Sequence, residues 1–94
     1  MQEFTVIDIE ADGLIENVTK IHCLSYARYV KGEIVEEGTI TNYEGMRDFL
    51  FRSKTIVGHN IVRYDIPVLK KLLNINFDKH RLIDTLALSW YLYP

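Results

Sequence analysis

The chain has 94 residues, enough for one small domain and too few for two. Its 48% hydrophobic and 26% charged residues exclude disorder, collagen-like repeats and low-complexity linkers as its main character. A formal net charge of -2, from 11 Lys and Arg against 13 Asp and Glu, argues against a long electrostatic footprint on a nucleic-acid duplex. It does not argue against a small site that grips phosphates through metal ions.

One cysteine, Cys23, has no partner for an internal disulfide, and no Cys/His cluster suggests structural zinc. The opening MQEFTVIDIE lacks the basic-then-apolar pattern of a secretion signal. No apolar run approaches the roughly 20 residues needed to span a bilayer. The expectation is a reduced, cytoplasmic protein with no membrane partner.

Phe4 to Glu10 reads as a strand, rich in β-formers, and Ala11-Asp12-Gly13 as the turn after it. Ile21 to Val30 is a second strand; Lys31-Gly32 turns the chain into a hairpin partner, Glu33 to Ile40. The periodicity then changes. Thr41 and Glu44 match a capping box, and Met46, Phe49 and Leu50 form a stripe, so a helix is expected over 42–52. Gly45 weakens it slightly.

Thr55-Ile56-Val57, ended by Gly58, is a short buried strand. A second helix is expected from about Asp65 to Leu73, with Pro67 in its first turn and Asn74 ending it. Leu82-Ile83 makes a fifth strand, after which Asp84 or Thr85 caps a third helix carrying Leu86, Leu88 and Leu92. The order βββαβαβα implies a mixed α/β sheet with flanking helices and no internal domain boundary. The apolar end, Trp90 to Pro94, is what a chain shows when it stops before its packing partner.

Two acids interrupt the first strand. Asp8 and Glu10 are two residues apart, so both side chains share a face, with Cβ atoms about 6.5 Å apart. If that strand is central, two buried, unpaired carboxylates are costly, and a hard divalent cation removes the cost. The alternative is that both are ordinary surface acids at a solvated strand end. Asp65, after the strand Thr55–Gly58 and the polar His59-Asn60, can reach the same sheet edge, because parallel strands bring their loop ends together. Taken alone, Asp65 reads more readily as a helix cap than as a ligand; with Asp8 and Glu10, three acids at one sheet edge are better explained by metal binding.

These residues carry a resemblance. Asp8-Ile9-Glu10 resembles the first motif, D-x-E, of the DEDD exonucleases, whose members share a ribonuclease-H-like fold. Gly58-His59-Asn60-Ile61-Val62-Arg63-Tyr64-Asp65 resembles their second motif. The stretches 10–14, 18–23 and 83–89 resemble the amino-terminal end of podovirus-type phage replicative DNA polymerases, family A enzymes that begin with a proofreading exonuclease domain. The resemblance covers Val6 to Ser89.

The resemblance implies an α/β, ribonuclease-H-like five-stranded sheet and removal of nucleotides from the 3′ end of single-stranded DNA with two divalent cations, Mg2+ or Mn2+. Asp8 would bridge both ions, Glu10 would serve the first and Asp65 the second. Leu14 would lie against the terminal bases and Asn60 would contact the last nucleotide. On the residues alone, Leu14 reads equally as core filler and Asn60 as a turn residue.

The third motif of the family, a Tyr that orients water and a fourth acid, has no counterpart: no Tyr-x3-Asp follows Asp65. The expectation is therefore a single, incomplete exonuclease domain over 1–94, lacking the carboxy-terminal helices. Its partners would be a single-stranded DNA 3′ end and a second polypeptide bringing the third motif and the polymerase domain. The competing expectations are a non-catalytic piece of a split polymerase and an inactive binding module. A phage-encoded chain would work in the host cytoplasm.

Overall fold

The computed structural model describes residues 2–86. Strands β1 (Glu3–Ala11), β2 (Ile21–Val30) and β3 (Glu33–Ile40) lead to helix α1 (Tyr43–Arg52) and strand β4 (Thr55–Gly58). A single π-helical turn (Ile61–Asp65) then runs into helix α2 (Ile66–Leu73), and strand β5 (Arg81–Asp84) follows. Thr85 and Leu86 are helical. The rest of the expected third helix and the apolar end lie outside the described residues.

The five strands form one mixed sheet in the order β3-β2-β1-β4-β5. β1 pairs antiparallel with β2, from Glu3 opposite Val30, and parallel with β4, with Val6 opposite Val57. β2 and β3 form the expected hairpin, closed by Lys31 and Gly32 at φ 52° and 83°, the left-handed pair that tight hairpins favour. β5 extends the sheet parallel to β4. This is the ribonuclease-H-like mixed sheet expected from the sequence.

From β3 to β4 and from β4 to β5 the chain steps across the sheet in the same direction. Right-handed crossovers then put α1 and α2 on the same face. There Met46, Phe49 and Leu50 of α1 and Val68, Leu69 and Leu73 of α2 bury themselves against Ile7 and Ile9 of β1, Leu24 of β2 and Ile56 of β4. β1 is the middle strand, and strict alternation sends Ile7 and Ile9 into this core while Asp8 and Glu10 stand exposed on the opposite side.

Two local expectations change. The N-cap of α1 is Asn42, whose side chain accepts the Gly45 N–H, rather than Thr41; no capping box with Glu44 forms. An Asx side chain one residue later caps the next N–H along, that of Gly45. The expected second helix is a π-turn followed by an α-helix, because Ile66 N–H bonds to Ile61 O, five residues back, before regular turns begin. It ends as expected at Asn74, with φ 56°.

Candidate functional site

The expected acids lie toward the end of the sheet where β4 leaves β1, Asp65 bonded to the strand that carries Asp8 and Glu10. Gly58 is the point of departure. A Cβ there would stand 2.2 Å from Ile61 Cγ2 and 3.0 Å from Ile7 O, so only glycine admits this close approach. Asn60, at φ 60°, then turns the chain into the π-turn, consistent with its reading as a turn residue.

The π-turn ends on Asp65, which lies back against β1. Its Oδ2 accepts the N–H of Ile9 at 3.2 Å. Where β4 has turned away, this carboxylate takes over as acceptor for the central strand. Asp65 is only 5% exposed. Burial pushes its carboxyl up to about 7, the Ile9 N–H opposes that shift, and the neighbouring Asp8 carboxylate reinforces it.

Asp8 and Glu10 flank Ile9 on the exposed face of the strand. Asp8 and Glu10 are solvated, as surface acids at a strand end, and Asp65 is the carboxylate withdrawn from water. Tyr64, beside Asp65, has its hydroxyl pKa raised by burial first and then by the charges of Asp65, Asp12 and Glu10.

Leu14 stands 68% exposed in the β1–β2 loop, so it does not fill the core. That loop is held on three sides. The Asp12 carboxylate accepts the N–H groups of Thr19 (2.8 Å) and Lys20 (3.1 Å) and the Thr19 hydroxyl, which keeps its pKa near 2. The Tyr64 hydroxyl donates to Gly13 O at 2.6 Å, tying the loop to the π-turn. Lys71 Nζ of α2 donates to Ile15 O at 3.3 Å. Leu14 is thus an apolar side chain displayed on a fixed loop, next in sequence to Gly13, whose carbonyl is bonded to Tyr64.

Hard divalent ions take carboxylate oxygens and complete their shells with water and substrate phosphate oxygens. Asp8, Glu10 and Asp65 are the right donor chemistry, and the buried Asp65 carboxylate is the kind of group a cation would relieve. As they stand, however, no three His, Cys, Asp or Glu side chains among the described residues lie close enough together to hold a metal ion. Two surface hollows, about 340 Å3 beside Thr5, Arg28 and Arg52 and about 490 Å3 beside Phe51, Asn76 and His80, include none of the three acids.

Three connections escaped the sequence reading: the Asp12 clasp, the Tyr64–Gly13 bond and the tether from Asp84 to the π-turn. Each joins a side chain to backbone across at least seven residues, a separation that leaves no periodicity to read.

No protein-family model matches the chain. It is 39% identical over 95 residues to the DNA-directed DNA polymerase of Escherichia phage T7, and 40% identical over 93 residues to that of Enterobacteria phage T3. Each match covers 89% of this chain. This chain is related to phage DNA polymerases. It spans 13% of the length of either relative, and the match indicates a polymerase-related domain. A solved family B DNA polymerase from the archaeon Pyrobaculum calidifontis shares the fold over 92% of this chain and 16% of its own, with a TM-score of 0.65 at 16% identity. Among the described residues no helix is long and apolar enough to cross a membrane.

Proposed function

We propose that this polymerase-related domain carries the metal-binding half of a 3′–5′ proofreading exonuclease that acts on the 3′ end of single-stranded DNA in the host cytoplasm. The observation that carries the reading is the buried Asp65 carboxylate bonded to the Ile9 N–H, with Asp8 and Glu10 on either side of that residue. Asp8, Glu10 and Asp65 would hold two divalent ions, Mg2+ or Mn2+. Such ions supply a hydroxide nucleophile near neutral pH and neutralise charge on the departing 3′ oxygen.

The chain's own residues do the rest. Asp8 and Glu10 present carboxylates to solvent from a strand paired with β2 on one edge and bonded by Asp65 at Ile9 on the other, where a phosphodiester can approach. The Asp65 turn sets the third carboxylate against that strand. Leu14 offers an apolar surface on which an unpaired terminal base can lie, and Asn60, at the head of the π-turn, contacts the terminal nucleotide. The missing Tyr and fourth acid would come from further polypeptide, which would also bring the polymerase domain.

A second reading, a non-catalytic subunit completed by a partner, is favoured by the absence of any three-carboxylate group among the described residues. One experiment separates the two. The purified chain is incubated with 5′-labelled single-stranded DNA and Mg2+ or Mn2+, beside Asp8→Ala. A ladder that shortens from the 3′ end, and is lost in the variant, supports an exonuclease acting alone. No ladder with the chain by itself, but one on adding a polypeptide that carries the third motif, supports the subunit. Cleavage that survives in Asp8→Ala would sink the assignment of these acids.

A further inference from the structure

Asp84 closes β5, in register with Gly58. A cap for the following helix would explain one of its bonds, the Leu86 N–H at 2.9 Å to Oδ1. The carboxylate does more. Oδ1 also accepts the N–H of Asn60 at 2.9 Å, and Oδ2 accepts that of Val62 at 3.0 Å, from 24 and 22 residues earlier in the chain.

Those two donors belong to the start of the π-turn. The first N–H groups of any helical segment have no partner inside it and need one from elsewhere. Asn60 supplies no side-chain cap of its own. Asp84 therefore holds the head of the turn while Ile9 N–H holds its tail at Asp65. His59 Nδ1 and Gly58 O both meet the Thr85 hydroxyl, at 3.2 and 3.4 Å, and add a second clasp between the same segments. A continuous line of bonds thus runs from β5 through the turn to β1, bridging the gap that opens when β4 ends.

We propose that Asp84 is a positioning residue for Asp65: by gripping the Asn60 and Val62 N–H groups it fixes the π-turn that lays Asp65 against the central strand. The consequence for metal binding rests on the reading of Asp65 as a metal ligand; the consequence for geometry does not. Partners that orient a ligand are typically worth 10- to 100-fold in metal affinity.

Asp84→Asn is a selective test. The amide oxygen can keep the Asn60 and Leu86 bonds, whereas the NH2 group cannot accept the Val62 N–H. In the metal-free protein, amide hydrogen exchange at Ile9 reports whether Asp65 still sits on β1. Its expected acceleration is about tenfold or more, with Mn2+ affinity, read by calorimetry, falling by about tenfold. Ile56→Val, at a fully buried position in β4, serves as a variant destabilised at a residue outside the turn. Exchange at Ile9 that rises no more in Asp84→Asn than in Ile56→Val would overturn the proposal. If the wild type itself binds no Mn2+, the metal reading of Asp65 falls, and the Ile9 comparison still decides the role of Asp84.

Discussion

On the helix-covered face of β1, Ile7 and Ile9 are buried among α1 and α2; on the other, one residue out of step, Asp8 and Glu10 are exposed. The same nine-residue strand serves both. What holds each side together differs accordingly. The covered face is joined by non-directional apolar contact, which many side chains share. The acid corner is held by directed bonds from carboxylates to backbone N–H groups, at Asp12, Asp65 and Asp84, each with named partners. A change on the first side should therefore tax stability, and a change on the second should tax geometry and chemistry.

The largest expected effects set the two sides against each other. Leu50→Ala empties a site with no exposure at all and should cost about 2–5 kcal/mol in a denaturant titration. Asp8→Ala removes an exposed carboxylate and should move stability by no more than about 0.5 kcal/mol. Any metal-dependent cleavage should meanwhile fall by at least about 100-fold, several kcal/mol of lost charge stabilisation. If Asp8→Ala unfolds the chain, or leaves cleavage intact, the division between faces is wrong.

Gly58→Ala tests the seam between them. The added methyl would meet Ile61 at 2.2 Å and the Ile7 carbonyl at 3.0 Å, so β4 and the π-turn must separate. A loss of about 1–3 kcal/mol is expected, together with faster exchange at the Ile9 amide. Unchanged stability would mean that the close approach is relaxed in solution.

A pH series sharpens the comparison on the acid side. The Asp65 carboxyl is raised from 3.8 to about 7, so the folded protein favours its protonated form. Its contribution is fully present below the unfolded pKa near 3.8 and is lost as pH rises through about 7. Metal-free wild type should therefore gain stability on acidification across that window, by at most about 1.4 kcal/mol per pH unit from this group. Asp65→Asn keeps an acceptor for Ile9 N–H and should flatten that part of the curve in thermal melts. An identical pH dependence in both proteins would remove the case for a strained, buried carboxylate.

The two sides were also unequally legible. Alternation in β1, the stripe of α1 and the Lys31-Gly32 turn are short-range patterns, and each element they implied is present, with ends shifted by a residue or two. Asp8, Glu10 and Asp65 stood out because acids interrupt apolar surroundings and because their motifs resemble those of a known family. Of the two placements open for Asp8 and Glu10, burial and a solvated strand end, the second is the one that forms; alternation alone does not say which face the helices cover. Crossover handedness decides that. The π-turn and the Asp84 tether were invisible for a different reason: a capping acid next to a helix and an acid holding a turn 24 residues away look the same in sequence.

The smallest effect belongs to the region farthest from either argument. Lys31 sits at φ 52°, where a Cβ crowds the following carbonyl, while Gly32 beside it bears no such strain at 83°. Left-handed backbone costs an ordinary residue about 1–2 kcal/mol, and glycine gives back roughly 0.5–1 through its freer unfolded chain. Lys31→Gly should thus stabilise the hairpin by a net of about 0.5 kcal/mol. Because the turn lies at the opposite end of β2 from the residues that pair with Asp8 and Glu10, Mn2+ affinity and Ile9 exchange should stay where they are in the wild type. A gain in stability that also tightened metal binding would show that the acid corner responds to the stiffness of the whole sheet, and its geometry would then not be set by Asp84 and Ile9 alone.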